Sequence, residues 1–99
     1  MNYEAINFRR EIESISSFFS VKARIRKIKW LCDIDKKIPN EFITDPRRLK
    51  QVLMNLIGNS MKFTFEGYVK IKATLIYIQN KQAIKVTIID TGLGINEKD

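Results

Sequence analysis

Leu49, Val52, Leu53, Leu56, Ile57 and the small Ser60 recur at three- and four-residue intervals. That spacing lines one face of a helix. Thr44-Asp45-Pro46 stands just before them. An aspartate can cap the first free N–H groups, and proline suits the first helical position, where no donor is needed. The pattern therefore predicts a helix starting at Pro46. Upstream, Phe8, Ile12, Ile15 and Phe19 predict an amphipathic helix from Asn7 to about Lys27. Ile28, Trp30, Cys32 and Ile34 then alternate as in a strand, and Lys36 to Asn40, with Pro39, reads as a loop. Phe18, Phe19 and Trp30 are expected in the core, and Cys32 on the apolar face of its strand as a buried thiol. Downstream, Gly67 marks a turn. Tyr68 to Gln79 and Gln82 to Asp90 are rich in β-branched and aromatic residues, and Asn80-Lys81 between them suits a tight hairpin.

The polar side of the second helix changes the picture. With Asn55 at zero and about 100° per residue, Asn59 falls at about 40°, Lys62 at about −20°, Arg48 at about 20° and Gln51 at about −40°. These five residues form a stripe bordering the apolar face. A solvated helix surface is the plain explanation. The stripe is amide-rich, however, and an amide adds no net charge for solubility. It offers an oxygen to a hard cation and a donor to a phosphate.

The last predicted strand ends in Asp90, followed by Thr91-Gly92-Leu93-Gly94. A carboxylate there can accept a hydrogen bond from an exocyclic amine. Gly92 and Gly94 let backbone approach a flat ring and let the next segment swing. Taken alone, this pattern equally suits an ordinary loop.

Taken together and in order, Asp45, Arg48-Leu49, Gln51-Val52-Leu53, Asn55-Leu56, Asn59, Lys62-Phe63-Thr64, Gly67 and Asp90-Thr91-Gly92-Leu93-Gly94-Ile95 resemble the catalytic ATP-binding domain of sensor histidine kinases. More broadly they resemble the superfamily that joins gyrase B, the 90-class heat-shock chaperones, histidine kinases and mismatch-repair ATPases. The resemblance implies an α/β (α+β) fold: a two-layer sandwich with a mixed, mainly antiparallel sheet and helices on one face. It implies a partial ATPase-type domain over residues 1–99, with an asparagine box at 45–64 and a first glycine box at 90–95. It implies ATP and Mg2+ as cofactors. By the same resemblance, Asn59 coordinates the magnesium, Asn55 lies beside metal and phosphates, Lys62 contacts phosphate and Phe63 lines the nucleotide. Asp90 reads the adenine amine, and Gly92 and Gly94 sit near the base at the hinge of a lid. Ser60 stands where the family usually has alanine, a neutral change.

The departures carry equal weight. The family's second glycine-rich box, its lid and its last strands are not found, so a fragment ending after the first glycine box is expected. No histidine occurs in the 99 residues, so the phosphoacceptor must lie outside them. The resemblance implies an ATP-dependent phosphotransferase of a two-component phosphorelay, inactive as this piece alone. Its partners would be a helical dimerisation and phosphoacceptor domain and a response-regulator receiver domain, in a homodimeric parent. A pseudokinase or interaction fragment is the alternative. A superfamily hydrolase fits less well. Such enzymes activate water with a glutamate at the position matching Asn55, and the stripe holds no carboxylate to act as base.

Length and composition allow one domain. The net charge of +7, concentrated at Lys22–Lys29 and at Arg47, Arg48 and Lys50, raises the prospect of nucleic-acid binding. No aromatic stacking motif accompanies it, and the first cluster also suits a helix C-terminus. No apolar run approaches the roughly 18 residues of a membrane span, and no signal-peptide pattern opens the chain. A single cysteine supports neither a metal site nor a disulfide. A cytoplasmic domain, in a parent that can be membrane-anchored, is the expectation.

Overall fold

In the computed structural model, which describes residues 2–91, the chain runs β1 (Glu4–Ile6), α1 (Phe8–Ile25), β2 (Lys29–Ile34), β3 (Phe42–Thr44), α2 (Pro46–Lys62), β4 (Tyr68–Ile78) and β5 (Lys81–Asp90). β2, β4 and β5 form one mixed sheet with β4 in the centre. β2 pairs with β4 in parallel and β4 with β5 antiparallel. β1 and β3 form a separate antiparallel ladder. The mixed α/β architecture expected from the sequence is therefore present.

The register explains the layers. Val69, Ile71 and Ala73 of β4 face one way and are buried, opposite Asp90, Ile88 and Val86 of β5. They pack in one cluster with Ile12, Ile15 and Phe19 of α1 and Leu53, Ile57 and Met61 of α2. The alternate residues Lys70, Lys72 and Thr74 turn to the other face, as a period of two requires. Burying a side chain such as Ile12 or Ile57 contributes about 1.5–3 kcal/mol.

α2 begins where its Asp45-Pro46 start predicts, and α1 begins just after Asn7, which caps it. Asn7 accepts a hydrogen bond from the Arg10 N–H at 3.0 Å. Asp45 accepts from the N–H groups of Arg47 and Arg48, both at 3.2 Å. The Arg48 N–H, foremost, holds the Asp45 carboxyl below the usual aspartate range. Asp35 closes the loop after β2 by accepting from Lys37 at 2.9 Å and from Leu75 at 3.0 Å. These backbone donors likewise lower its carboxyl.

α1 ends in a turn where the N–H of Ile28 reaches the Ala23 carbonyl at 2.9 Å and that of Lys27 reaches Arg24 at 3.1 Å. This closure needs a left-handed residue just past the helix, and Lys27 supplies it at φ 62. Glycine meets that demand without steric cost. Lys27→Gly is expected to stabilise the domain by about 1 kcal/mol. Thermal denaturation followed by circular dichroism should show a higher midpoint. An unchanged or lower midpoint would show that the lysine stem is worth more than the relieved strain.

Several expectations need correction. The hairpin turns at Gln79 and Asn80, with φ 52 and 66, while Lys81 already pairs with Ile78. Val52 and Leu56 are exposed, and Met61 is buried in their stead. The face of α2 that meets the sheet is the narrower i, i+4, i+8 row through Leu53, Ile57 and Met61. Phe18 is exposed too, standing edge-on to the buried Phe19 beneath Lys22. Trp30 is half-buried, stacked on Phe19 and donating to Ser16 Oγ at 2.6 Å. Cys32 is exposed because β2 is an edge strand in the described sheet. Partial desolvation still pushes its thiol up, a hydrogen bond with Ser16 opposes this, and the Glu13 and Asp33 carboxylates reinforce it. β1 and β3 had no sequence signature, since three residues carry no readable period.

Candidate functional site

The last turn of α2 and the last residue of β5 meet at one end of the sandwich. β5 runs antiparallel to β4, so its end lies beside Val69 at the start of β4. α2 packs over β4 and β5 and finishes above that end. Between them lies a cleft of about 400 Å³ lined by Asn59, Ser60, Lys62, Phe63 and Asp90. That is within the range of small-molecule sites, roughly 300–1,000 Å³.

Each wall has a local cause. Asp90 shares the helix-facing side of the sheet with Val69, which directs it under α2. Thr64 is fully buried just beyond α2. Its Oγ1 donates to the Ser60 carbonyl at 2.9 Å and its N–H to the Met61 carbonyl at 3.3 Å. This closes the helix and fixes Phe63 as its cap residue. Lys62 Nζ lies 5.6 Å from the Phe63 ring centroid, so the cation and the aromatic plane stand together at the rim.

Four residues picked out in the sequence thus share one cleft: Asn59, Lys62, Phe63 and Asp90. Asn55 is exposed one turn earlier and does not line it, and neither do Arg48 and Gln51. The polar stripe is continuous along α2, but the cleft opens only at its final turn. Gly92 and Gly94 lie outside the described residues.

Chemically, the cleft offers an amide oxygen, a hydroxyl, an ammonium, an aromatic face and a carboxylate. An amide oxygen is a hard ligand suited to magnesium, which usually draws the rest of its shell from phosphates and water. Among the described residues, no three carboxylate, thiol or imidazole groups gather to form a cage of protein ligands. A second cleft, of about 410 Å³, lies on the far side of Lys62 between the C-terminal turns of the helices. Phe19, Ile25 and Met61 line it, with Lys22 and Arg26 at its rim. It presents no carboxylate or amide side chain.

Two participants escaped the sequence reading. Ser60, taken as neutral, forms part of the wall. Thr91 anchors the end of β5. Its Oγ1 accepts from the Tyr68 N–H at 3.0 Å and donates to the Glu66 carbonyl at 3.0 Å. It thereby ties the residue after Asp90 to the Gly67 turn. A threonine after an aspartate gives no periodic signal of that role.

Comparison with known proteins matches residues 44–99 to the family described as histidine kinase-, DNA gyrase B- and HSP90-like ATPases. The chain is 48% identical to the sensor protein EvgS of Escherichia coli (strain K12), over 89% of this chain and 7% of that protein. It is 37% identical to hybrid signal transduction histidine kinase K of Dictyostelium discoideum, over 96% of this chain and 9% of that protein. The chain thus spans less than a tenth of either relative. Among solved structures, histidine kinase ThkA in complex with response regulator protein TrrA superposes with a TM-score of 0.71 at 26% identity. The match covers 87% of this chain and 25% of that one.

Proposed function

Since this chain belongs to the histidine kinase-, DNA gyrase B- and HSP90-like ATPase family, we propose that the cleft between α2 and β5 binds ATP with Mg2+. It would serve as the nucleotide-holding part of a histidine kinase. One observation carries the reading: Asn59, Lys62 and Phe63 from a helix and Asp90 from a strand distant in sequence converge on a single cleft. Asp90 would accept a hydrogen bond from the adenine amine. Phe63 would cover the nucleotide, and Lys62 would neutralise phosphate charge. Asn59 would hold the metal, which when bound supplies charge neutralisation at the phosphates. Phosphoryl transfer depends chiefly on such positioning and neutralisation. Gly92 and Gly94 would provide the hinge beyond Asp90, and Asn55 an outer amide near the metal.

A kinase is favoured over a hydrolase by the exposed face of α2. Arg48, Gln51, Asn55, Asn59 and Lys62 include no carboxylate to deprotonate a water. The γ-phosphoryl group would pass to a histidine outside these 99 residues, on a helical dimerisation domain of a homodimeric parent, and then to an aspartate of a receiver domain. The names of the matched relatives and the kinase–response regulator complex support this placement. Among the described residues, no helix is long and apolar enough to cross a membrane.

The test is calorimetric titration of the chain with ATP, with and without Mg2+. Wild type should bind more tightly with the metal. Asn59→Ala should lose that difference, weakening Mg·ATP about tenfold while metal-free ATP changes little. Equal Mg2+ dependence in both proteins would remove Asn59 from the metal, and no ATP binding by wild type would overturn the reading.

A further inference from the structure

We propose that Arg26 is a positioning residue for the nucleotide cleft: it occupies the Met61 carbonyl in the last turn of α2 and the Thr64 carbonyl just beyond it, and so keeps Lys62 directed at the phosphates. The inference rests on the ATP-binding reading above and adds a residue that lines no part of that cleft.

Arg26 is the residue that caps α1, at φ −88 and ψ 0. The closing turn around Lys27 and Ile28 fixes its backbone. From that origin its guanidinium crosses to the end of α2. Nη1 donates to the Met61 carbonyl, and Nη2 donates to the Thr64 carbonyl at 2.8 Å. Its guanidinium carbon lies 5.8 Å from the Phe65 ring centroid, so an aromatic ring flanks the cation. A planar fork with several donors is well shaped to hold two carbonyls at once.

The consequence falls on Lys62, the wall shared by both clefts. It lines the nucleotide cleft with Asn59 and Asp90 and also the second cleft with Arg26 and Lys22. Its ammonium therefore has two destinations. On one side lie the Phe63 ring and the nucleotide cleft. On the other lie the Met61 carbonyl of the last turn of α2 and the Thr64 carbonyl just beyond it, acceptors at a helix C-terminus that attract any nearby cation. Arg26 fills those acceptors. Its charge, with that of Lys22, makes the second cleft unfavourable for another cation. Both effects bias Lys62 towards the phosphate side. Arg26 also restrains the backbone on either side of Phe63, through Met61 and Thr64.

This account predicts an effect selective for phosphate. Arg26→Met keeps much of the apolar stem and removes the donors and the charge. Lys62 should then fold back onto the vacated carbonyls. Mg·ATP affinity should fall about tenfold, the scale of one charge-assisted contact. Adenosine, which carries no phosphate, should bind as in wild type. Arg26→Lys keeps the charge but lacks the fork, and should lose less.

The experiment is a titration of the whole chain by NMR chemical-shift perturbation, suited to weak binding. Mg·ATP and adenosine are each added to wild type, Arg26→Met and Arg26→Lys below the measured unfolding midpoint of each. Selective loss of Mg·ATP affinity supports the proposal. Parallel losses for both ligands, or none, overturn it and leave Arg26 as packing alone. If Arg26→Met does not fold, Arg26→Lys decides by the same comparison. If wild type binds neither ligand, the ATP-binding reading fails and this inference falls with it. Binding by wild type that Arg26 variants leave unchanged would overturn the inference alone.

Discussion

Asp90→Asn should reduce Mg·ATP affinity about tenfold and erase the preference for ATP over GTP. The substitution is nearly isosteric, so the cleft should keep its shape. It changes the hydrogen-bonding character at one point. A carboxylate only accepts, which suits the exocyclic amine of adenine and opposes the carbonyl that guanine carries there. An asparagine amide can accept from one and donate to the other, and as a neutral acceptor it is weaker. The fold puts the carboxylate at the cleft. Asp90 is the final rung of the β4–β5 ladder, opposite the fully buried Val69 and on the side that faces α2. Competition between ATP and GTP for a fluorescent nucleotide would measure the ratio. If Asp90→Asn retains the wild-type ratio, Asp90 only ends the strand and the base is read elsewhere.

The cleft was legible in the sequence to the extent that its parts sit on elements with local signatures. The Asp45-Pro46 start and the helical spacing set the phase of α2, which put Asn59 and Lys62 on one stripe. The β-rich runs on either side of a turn gave the hairpin that delivers Asp90. What remained hidden depended on contacts between elements distant in sequence. Asn55 and Asn59 are equivalent on a wheel, and only the position of the β5 end beneath the last turn separates them. Val52, Leu56 and Phe18 look like core residues, but two helices docking on three strands cannot bury every apolar side chain they carry. Cys32 alternates with core residues, yet it lies on an outer strand of the described sheet. The β1–β3 ladder pairs Glu4 with Thr44, a match no local pattern encodes. Arg26 and Thr91 act on backbone groups far along the chain, so residue type and spacing gave no sign of them.

Gly67→Ala should be the most destabilising single-methyl change near the site, at about 2–4 kcal/mol. Gly67 sits at φ 99, where an L side chain is strained. A Cβ built there would fall 2.0 Å from Thr91 Oγ1 and 3.0 Å from Thr91 Cβ. Thr91 cannot simply rotate away, because its hydroxyl is bonded to both Tyr68 and Glu66. The Gly67 carbonyl also accepts from the Lys29 N–H at 2.9 Å, so the turn is held from the β2 side as well. Displacing Thr91 would in turn shift Asp90, its neighbour in the chain, and weaken nucleotide binding. The two components can be separated by a double-mutant cycle. Thr91→Ala removes the hydroxyl, the nearest clashing atom, and keeps the Cβ 3.0 Å away, so Gly67→Ala introduced into that background should cost less, chiefly the backbone strain of about 1–2 kcal/mol. Urea denaturation of the four proteins would supply the cycle. Equal costs of Gly67→Ala in both backgrounds would mean that the clash with Thr91 is relieved cheaply, and that the glycine is required by its backbone angle alone.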